Sequence, residues 1–169
     1  MRLARLAVLL ALTAACGTKR TAAPEERSQT IEGLELRQSA AGRPAWTLKA
    51  RLASLREEQK KAVLTEPTMS FLRGGKVVSR VTALEGEGAT DTRDVRLSRS
   101  VTLDSLDDHS RLSTEVLVFD SKRQRFTTDR EVLVKRPEGV LRGQGLEATP
   151  DLSEIRVFNQ RTDIKERPR

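Results

Sequence analysis

The chain has 169 residues, a formal net charge of +7, 33% charged residues and only 3% aromatic residues, with no tyrosine. Aromatic residues are too few for the stacking platform of a single-strand nucleic-acid binder, and the basic residues are dispersed among acidic ones. One histidine and one cysteine do not provide the ligand set of a zinc site. Composition therefore disfavours nucleic-acid binding and metal-dependent catalysis.

The first fifteen residues have the layout of an export signal. Arg2 and Arg5 precede an apolar run at residues 6–12, which is followed by the small residues 13–15 and then by Cys16. The apolar stretch is about half as long as a helix that crosses a bilayer, so a permanent transmembrane anchor is the less favoured interpretation. We expect the segment to be removed after export.

Cys16 is the only cysteine and follows the small residues at the expected cleavage point. Residues 12–16 resemble the signal of bacterial lipoproteins, which implies diacylglyceryl transfer to Cys16 and cleavage before it. The alternative is an ordinary signal peptide with an incidental cysteine. The predicted organisation is a lipoprotein-type signal peptide at 1–15, a lipidated N-terminus and flexible linker at 16–28, and one folded domain at 29–166.

The rest of the chain alternates apolar and polar residues, which indicates strands with one buried face. Trp46 and Leu48 alternate with polar neighbours, and Val95 and Leu97 repeat the pattern. Residues typical of turns separate these runs at 41–44, 74–75, 89–91, 106–108, 120–122, 137–139 and 150–151. We therefore expect an all-β domain of about ten strands.

Two stretches allow more than one interpretation. Residues 52–63 could form one or two helical turns on spacing alone, although we favour strands there. In the strand at 111–120, strict alternation places Leu112, Val116 and Val118 on one face and Leu117 and Phe119 on the other. This pattern predicts apolar surroundings on both faces of the strand.

No group of residues in the sequence indicates catalysis. His109 lies in a polar turn beside Asp107 and Asp108, where solvated turn residues are far commoner than a pH sensor or a calcium loop. The glycines at 143 and 145 do not precede a helix, so they indicate a bulge or a close backbone approach rather than a phosphate loop, and Gly86 and Gly88 are interpreted in the same way.

Most of the exported part resembles one family. The segments concerned are 46–50, with the pattern W-x-L-x-A, then 64–71, 95–103 and 112–120, and finally 140–148, which contains G-x-G-L-x-A. They resemble LptC, the periplasmic component of the lipopolysaccharide-export transporter, which is related to the bridge protein LptA. Two features depart from the family: a lipoprotein-like signal replaces the usual transmembrane helix, and Ser98 or Arg99 replaces a glycine common before the strand at Val101.

The resemblance implies an elongated, twisted antiparallel β-jellyroll with an open apolar interior, preceded by a signal or anchor segment. It also implies a protein that is not an enzyme and needs no cofactor. Such a protein binds the acyl chains of lipopolysaccharide and passes them from the inner-membrane transporter to the periplasmic bridge. Its partners would be membrane subunits of the LptB, LptF and LptG type and an LptA-like bridge protein.

Candidate residues follow for each of these roles. The candidate lipid-binding lumen consists of Trp46, Leu48, Met69, Phe71, Val101, Leu103, Leu117 and Phe119, although each of these could simply fill the core. The candidate partner edges are the terminal strands, with Ile31, Leu34 and Leu36 at one edge and Ile155, Val157 and Ile164 at the other.

The expected location is the periplasm, with a lipid anchor in a membrane. We favour the inner membrane, although Gly17 after Cys16 would direct an enterobacterial lipoprotein to the outer membrane. The alternative function is an envelope scaffold lipoprotein that pairs through its edge strands and carries no lipid. A solvent-excluded lumen would favour lipid binding, whereas a fully packed sandwich would favour the scaffold function.

Overall fold

The computed structural model describes residues 28–40 and 42–163, and these residues form strands and connecting turns without a helix. Cys16 and the whole predicted signal segment lie outside the described residues. The strands are β1 (Ser28–Ala40), β2 (Arg43–Arg56), β3 (Lys61–Thr65), β4 (Thr68–Arg73), β5 (Lys76–Thr82), β6 (Glu85–Ala89), β7 (Val95–Ser105), β8 (Arg111–Asp120), β9 (Arg125–Arg136), β10 (Gly139–Ala148), β11 (Ile155–Val157) and β12 (Arg161–Asp163).

All strand pairs are antiparallel, and two long strands divide the sheet into two half-sheets. β2 pairs with β3 through residues 52–56 but with β4 through residues 46–49. β7 pairs with β6 through residues 95–98 but with β5 through residues 102–105. The first half-sheet therefore contains β3 and β6, and the second contains β4 and β5.

β8, β9 and β10 also contribute one end to each half-sheet. The register shifts by one residue between Thr114 and Val118 in the β8–β9 pair and between Gln144 and Leu146 in the β9–β10 pair. Each shift marks the place where a strand bends from one half-sheet to the other. These bends give the predicted antiparallel β-jellyroll.

The bend in β7 uses an unusual backbone. Arg99 and Ser100 both have positive φ angles, of 65° and 55°, and the β7–β8 register shifts between Ser98 and Val101. Non-glycine residues rarely adopt this conformation because Cβ then crowds the backbone. The strand therefore bends through two strained residues that are not glycine.

The inner faces of the half-sheets pack together around an aromatic cluster. Phe71 of the second half-sheet lies 5.1 Å from Phe119 and 5.5 Å from Phe126, both of the first half-sheet, measured between ring centroids. Trp46 meets Phe119 edge to face at 5.9 Å. Edge-to-face aromatic contacts are favourable beyond the area that they bury. The strand bends lie on one side of the sandwich. The side opposite these bends, where the strand ends of both half-sheets meet, is the open side.

The predicted turns at 41–44, 74–75, 89–91, 106–108, 120–122, 137–139 and 150–151 all fall at junctions between strands. Residues 52–63 form strands, as favoured, with a turn at 57–60. The described residues form twelve strands rather than about ten. The extra breaks include one at Glu66 and Pro67 and one at Ala83 and Leu84, where neighbouring strands change half-sheet.

The prediction of two apolar faces for 111–120 is wrong. Leu112, Leu117 and Phe119 are all fully buried in the one core, although their sequence parities differ. The shift in the β8–β9 register inverts the alternation midway along the strand, so Leu112 in one half and Leu117 and Phe119 in the other all face the core. Val116 and Val118 are partly buried and do not belong to the core cluster. The Thr114 hydroxyl lies at this shift and donates a 2.8 Å hydrogen bond to the Glu131 carbonyl.

Candidate functional site

A cavity of about 510 Å³ opens at the β1 end of the sandwich, between the two half-sheets. Ile31, Leu34 and Leu36 of β1 form one wall. Trp46 and Leu48 of β2 lie in the second half-sheet and form another. The volume falls within the range of small-ligand pockets, and the walls are mostly apolar, as such pockets require.

The first half-sheet completes the apolar lining with Leu55, Ala62, Leu64 and Gly88. Ala62 and Gly88 are direct neighbours in the β3–β6 ladder, so they face the same side. A Cβ atom built on Gly88 would have no other atom within 4 Å. The missing side chain of Gly88 therefore leaves open space in the cavity.

Polar groups gather at one end of this cavity. Arg37 and Gln38 reach it from β1, whereas Thr90, Arg93 and Asp94 reach it from the β6–β7 loop. Because these residues lie at the strand ends of both half-sheets, the polar end is the open side of the sandwich. The cavity thus has the form that suits an amphiphile, with an apolar interior and a polar mouth.

Ion pairs hold the β1 part of the mouth. Arg37 donates a 2.8 Å hydrogen bond to the Glu35 carboxylate, and the Lys49 ammonium lies 3.2 Å from the same group. The hydrogen bonds from Arg37 and then Lys49 hold the pKa of Glu35 below its ordinary value. The Glu35 carboxylate thus pairs with both Arg37 and Lys49 beside the mouth.

The eight candidate lumen residues are all buried, but they do not all contact the cavity. Trp46 and Leu48 line it. The other six, which are not among its lining residues, lie in the packed core: Met69, Phe71, Val101, Leu103, Leu117 and Phe119. Four further lining residues were not among the candidates: Leu55, Ala62, Leu64 and Gly88. Val63 stands between Ala62 and Leu64, so the sequence at 62–64 has no alternation of apolar and polar residues to mark them.

The candidate edge residues lie on terminal strands. β1 pairs only with β2, and β11 and β12 pair only with β10, among the strands that the structure describes. Ile31 and Leu36 are 36% and 49% exposed, whereas Leu34 is partly buried against the core. Ile155 and Val157 also pack partly against the core, and Ile164 lies outside the described residues.

The glycines of β10 receive the C-terminal segment. A Cβ atom on Gly143 would lie 2.4 Å from Val157 Cγ1 and 2.6 Å from the Phe158 carbonyl oxygen. Gly145 has φ +86° and lies under the Phe158 ring. The Gln144 amide donates to the Phe158 carbonyl, and the Phe158 amide donates to the Gly145 carbonyl, each at 3.0 Å. The close-approach interpretation of these glycines is confirmed.

The interpretation of Gly86 and Gly88 is confirmed only for the first. A Cβ atom on Gly86 would lie 3.0 Å from the Pro67 ring. Gly88 has neither a close neighbour nor a bulge, since the β3–β6 and β6–β7 registers run through it without a shift. The absence of a side chain at Gly88 leaves open space in the cavity instead.

His109 is exposed in the β7–β8 turn. The neighbouring Asp108 carboxylate accepts hydrogen bonds from the Ser110 amide and hydroxyl at 3.1 and 2.9 Å. Within 28–40 and 42–163, no three His, Cys, Asp or Glu residues are grouped closely enough to hold a metal ion. No helix long and apolar enough to cross a membrane is found among the residues that the structure describes.

Fold and cavity together define an antiparallel β-jellyroll with an apolar pocket at one end and strand edges at both ends. The family model described as "Lipopolysaccharide-assembly, LptC-related" matches residues 3–164, and the chain belongs to this family. A search of curated proteins found no match. Membership associates the chain with lipopolysaccharide transport, with the Lpt transporter complex and with the periplasmic side of a membrane, as a transport component rather than an enzyme.

Proposed function

We propose that this chain binds an acyl chain of lipopolysaccharide in the cavity at the β1 end and passes it towards the periplasmic bridge. The observation that carries the proposal is the cavity itself, which has apolar walls and a polar mouth on the open side. An acyl chain would lie inside while the sugars and phosphates remain in water. Family membership, which associates the chain with lipopolysaccharide transport, supports the choice of this lipid.

The cavity volume sets the amount of lipid. A methylene group occupies roughly the space of a liquid water molecule, about 30 Å³, so the cavity has room for one acyl chain rather than several. A few hundred Å² of apolar contact at about 25 cal/mol per Å² is worth roughly 5–8 kcal/mol before the costs of ordering. Such a contact is strong enough to hold a chain and weak enough to release it.

The partners would pair with the two edges. β1 is thirteen residues long, and its outer edge pairs with no other strand in the part of the chain that the structure describes, so this edge is a template for strand addition. We propose that the β1 edge, with Ile31 and Leu36, meets a membrane subunit of the LptF or LptG type, and that the edge at β11 and β12 meets an LptA-like protein. Acylation at Cys16 would anchor the chain, with the inner membrane favoured because the transporter is there.

A photo-crosslinking residue tests lipid binding in cells that make lipopolysaccharide. We expect lipopolysaccharide adducts when it replaces Leu55, which lines the cavity and is partly exposed. Leu106 is the matched control, because it is a 47% exposed leucine on the β7–β8 loop that does not line the cavity. Equal adducts at both positions would show non-specific lipid contact.

Gly88→Phe provides the blocking variant. Its side chain would enter the cavity without a steric clash at Cβ, and the φ angle of Gly88 is open to ordinary residues. We expect the Leu55 adduct to fall at least fivefold while the thermal unfolding temperature is unchanged. An undiminished adduct in a folded variant would show that the lipid lies elsewhere.

The second candidate function is an envelope scaffold that pairs through its edges without lipid. The packed interior favours it, since Phe71, Phe119 and Phe126 fill the space between the half-sheets. An exported, folded protein that captures both partners and gives no lipid adduct at Leu55 would establish this function instead.

A further inference from the structure

The two outer faces of the sandwich differ in charge. Successive side chains of a strand point to opposite sides of the sheet, so the residues between the buried ones face water. On the outer face of the first half-sheet, the basic residues of the strands are Arg56, Lys61, Arg96, Arg125 and Arg156. The acidic residues of the same face are Glu32, Glu85, Glu87, Asp120 and Glu147. Positive and negative charges are equal in number here, and we call this the balanced face.

The outer face of the second half-sheet is positively charged. Its basic residues are Arg37, Lys49, Arg80, Arg111, Lys135 and Arg142. Two acidic residues lie among them, Glu35 and Asp104, and a third, Glu131, lies at the margin beside the bend of β9. Basic residues that are dispersed along the sequence are thus gathered on one surface by the fold. We call this surface the basic face.

Positive charges are close neighbours on the basic face. Arg80, Asp104, Arg111 and Lys135 are successive partners across β5, β7, β8 and β9, so they form one row. Arg111 is directly opposite Lys135, and like charges in this arrangement destabilise a sheet. Asp104 pairs with Arg111, whereas no carboxylate of the described residues pairs with Arg80 or Lys135. The stability of the sheet therefore does not explain this concentration of charge.

The shape of the basic face suits a flat, anionic partner. Most of its other outward positions hold small hydroxyl side chains: Thr47, Thr68, Ser70, Thr82, Thr102 and Ser113. The long lysine and arginine side chains extend beyond these short neighbours. Interfaces between proteins usually have aromatic anchors at their centre, and no described strand residue that faces outward here is aromatic. A membrane surface with anionic headgroups fits these properties better than a protein does.

The position of the N-terminus allows this face to reach a membrane. Ser28 begins β1, and eleven residues separate it from Cys16, the expected point of attachment. Eleven residues span at most about 40 Å, whereas the two sheets of a sandwich lie only about 10 Å apart. A chain held at Cys16 could therefore turn either face to the membrane. The difference in charge decides which face it is.

We infer that the basic face docks on the anionic phospholipid headgroups of the membrane that holds the N-terminus. Headgroup phosphates accept hydrogen bonds from the guanidinium groups of Arg80 and Arg111, and the Lys135 ammonium adds its charge to the same row. The inference concerns the outside of the sandwich, so it does not depend on lipid binding in the cavity.

Photo-crosslinking at two matched positions tests this docking. Thr102 and Thr127 are both partly buried threonines that face outward, Thr102 on the basic face and Thr127 on the balanced face. The full chain is mixed with vesicles of phosphatidylcholine, either alone or with about one third of the anionic lipid phosphatidylglycerol. On the anionic vesicles we expect at least about five times more phospholipid adduct at Thr102 than at Thr127. Neutral vesicles or added salt should remove this difference.

The combined variant Arg80→Gln and Lys135→Gln removes two charges from the basic face. Each basic residue near an anionic membrane strengthens binding about fivefold, so the Thr102 adduct should fall roughly five- to 25-fold. Arg96→Gln combined with Arg156→Gln is the matched control, because it removes two exposed charges from the balanced face and gives the chain the same net charge. The control should leave the Thr102 adduct within about twofold of the native value.

Three outcomes would overturn the inference. The first is an equal amount of phospholipid adduct at Thr102 and Thr127 on the anionic vesicles. The second is an equal fall of the Thr102 adduct in the two folded combined variants, which would show that only the net charge of the chain matters. The third is a Thr102 adduct that forms in cells with an envelope protein or with lipopolysaccharide and never with phospholipid, which would assign the basic face to that partner instead.

Discussion

Gly143→Ala should detach the C-terminal segment from β10. The added Cβ would lie 2.4 Å from Val157 Cγ1 and 2.6 Å from the Phe158 carbonyl oxygen. The valine side chain can rotate, but the carbonyl can move only by breaking its 3.0 Å hydrogen bond from the Gln144 amide. Gly88→Ala is the matched control, because nothing lies within 4 Å of its Cβ position.

The expected loss of stability follows from the hydrogen bonds that the C-terminal segment loses. Overpacking of this kind costs about 1–3 kcal/mol, and release of the segment limits it to roughly two hydrogen bonds of about 1 kcal/mol each. A loss of about 2 kcal/mol lowers the unfolding temperature of a domain of this size by roughly 6–12 °C. The control should change stability by less than about 1 kcal/mol, with a small gain expected from reduced freedom in the unfolded chain.

Denaturant unfolding measures the free-energy difference, and hydrogen exchange locates it. The amides of Gln144 and Phe158 should lose protection in Gly143→Ala, whereas the amides of β8 keep theirs. If Gly143→Ala matched Gly88→Ala in both measurements, the close approach of the C-terminal segment to β10 would be refuted.

Three further predictions concern the core, the bend and the mouth. Phe119→Ala should lower the free energy of unfolding by about 3–5 kcal/mol in urea titrations, because its fully buried ring contacts three other aromatic rings; a loss below about 1 kcal/mol would contradict the packed cluster. Ser100→Gly should raise stability by up to about 1 kcal/mol, since it relieves a positive φ of 55°, and a clear loss would contradict the strain. Glu35 has a lowered folded-state pKa because of Arg37 and Lys49, so its contribution is present at neutral pH and is lost as pH falls below the ordinary value of 4.5. Thermal unfolding at several pH values should show the native chain losing this advantage over Glu35→Gln in acid, and a pH-independent difference would contradict it.

Local patterns in the sequence were sufficient for the class of fold. Alternation of apolar and polar residues identified the strands, and glycine, proline and aspartate identified the turns, because both signals depend on the residues themselves. The glycines at 143 and 145 also indicated a close approach, since only a residue without Cβ permits it. The family patterns at 46–50 and 143–148 led to the same family that the family model identified.

Which residues line the cavity depended on how neighbouring strands pair and pack. Gly88 was interpreted as a bulge or a close backbone approach, yet it leaves open space in the cavity, because its role depends on Ala62 beside it in the neighbouring strand. Phe119 was a candidate lumen residue and lies in the packed aromatic cluster, because the depth of a residue along the sandwich has no local signature. Leu152 directly follows the predicted turn at 150–151 and is fully buried.

The sequence alone determined that the chain forms an antiparallel β domain and what kind of envelope protein it resembles, because alternation, turn residues and short motifs are local properties. Only the tertiary structure decided which apolar residues face a cavity and which fill the core. The reason is that bends in β8 and β10 invert the facing of residues and that bends in the long strands bring distant strand ends together, so that one-residue shifts of register decide what each side chain contacts.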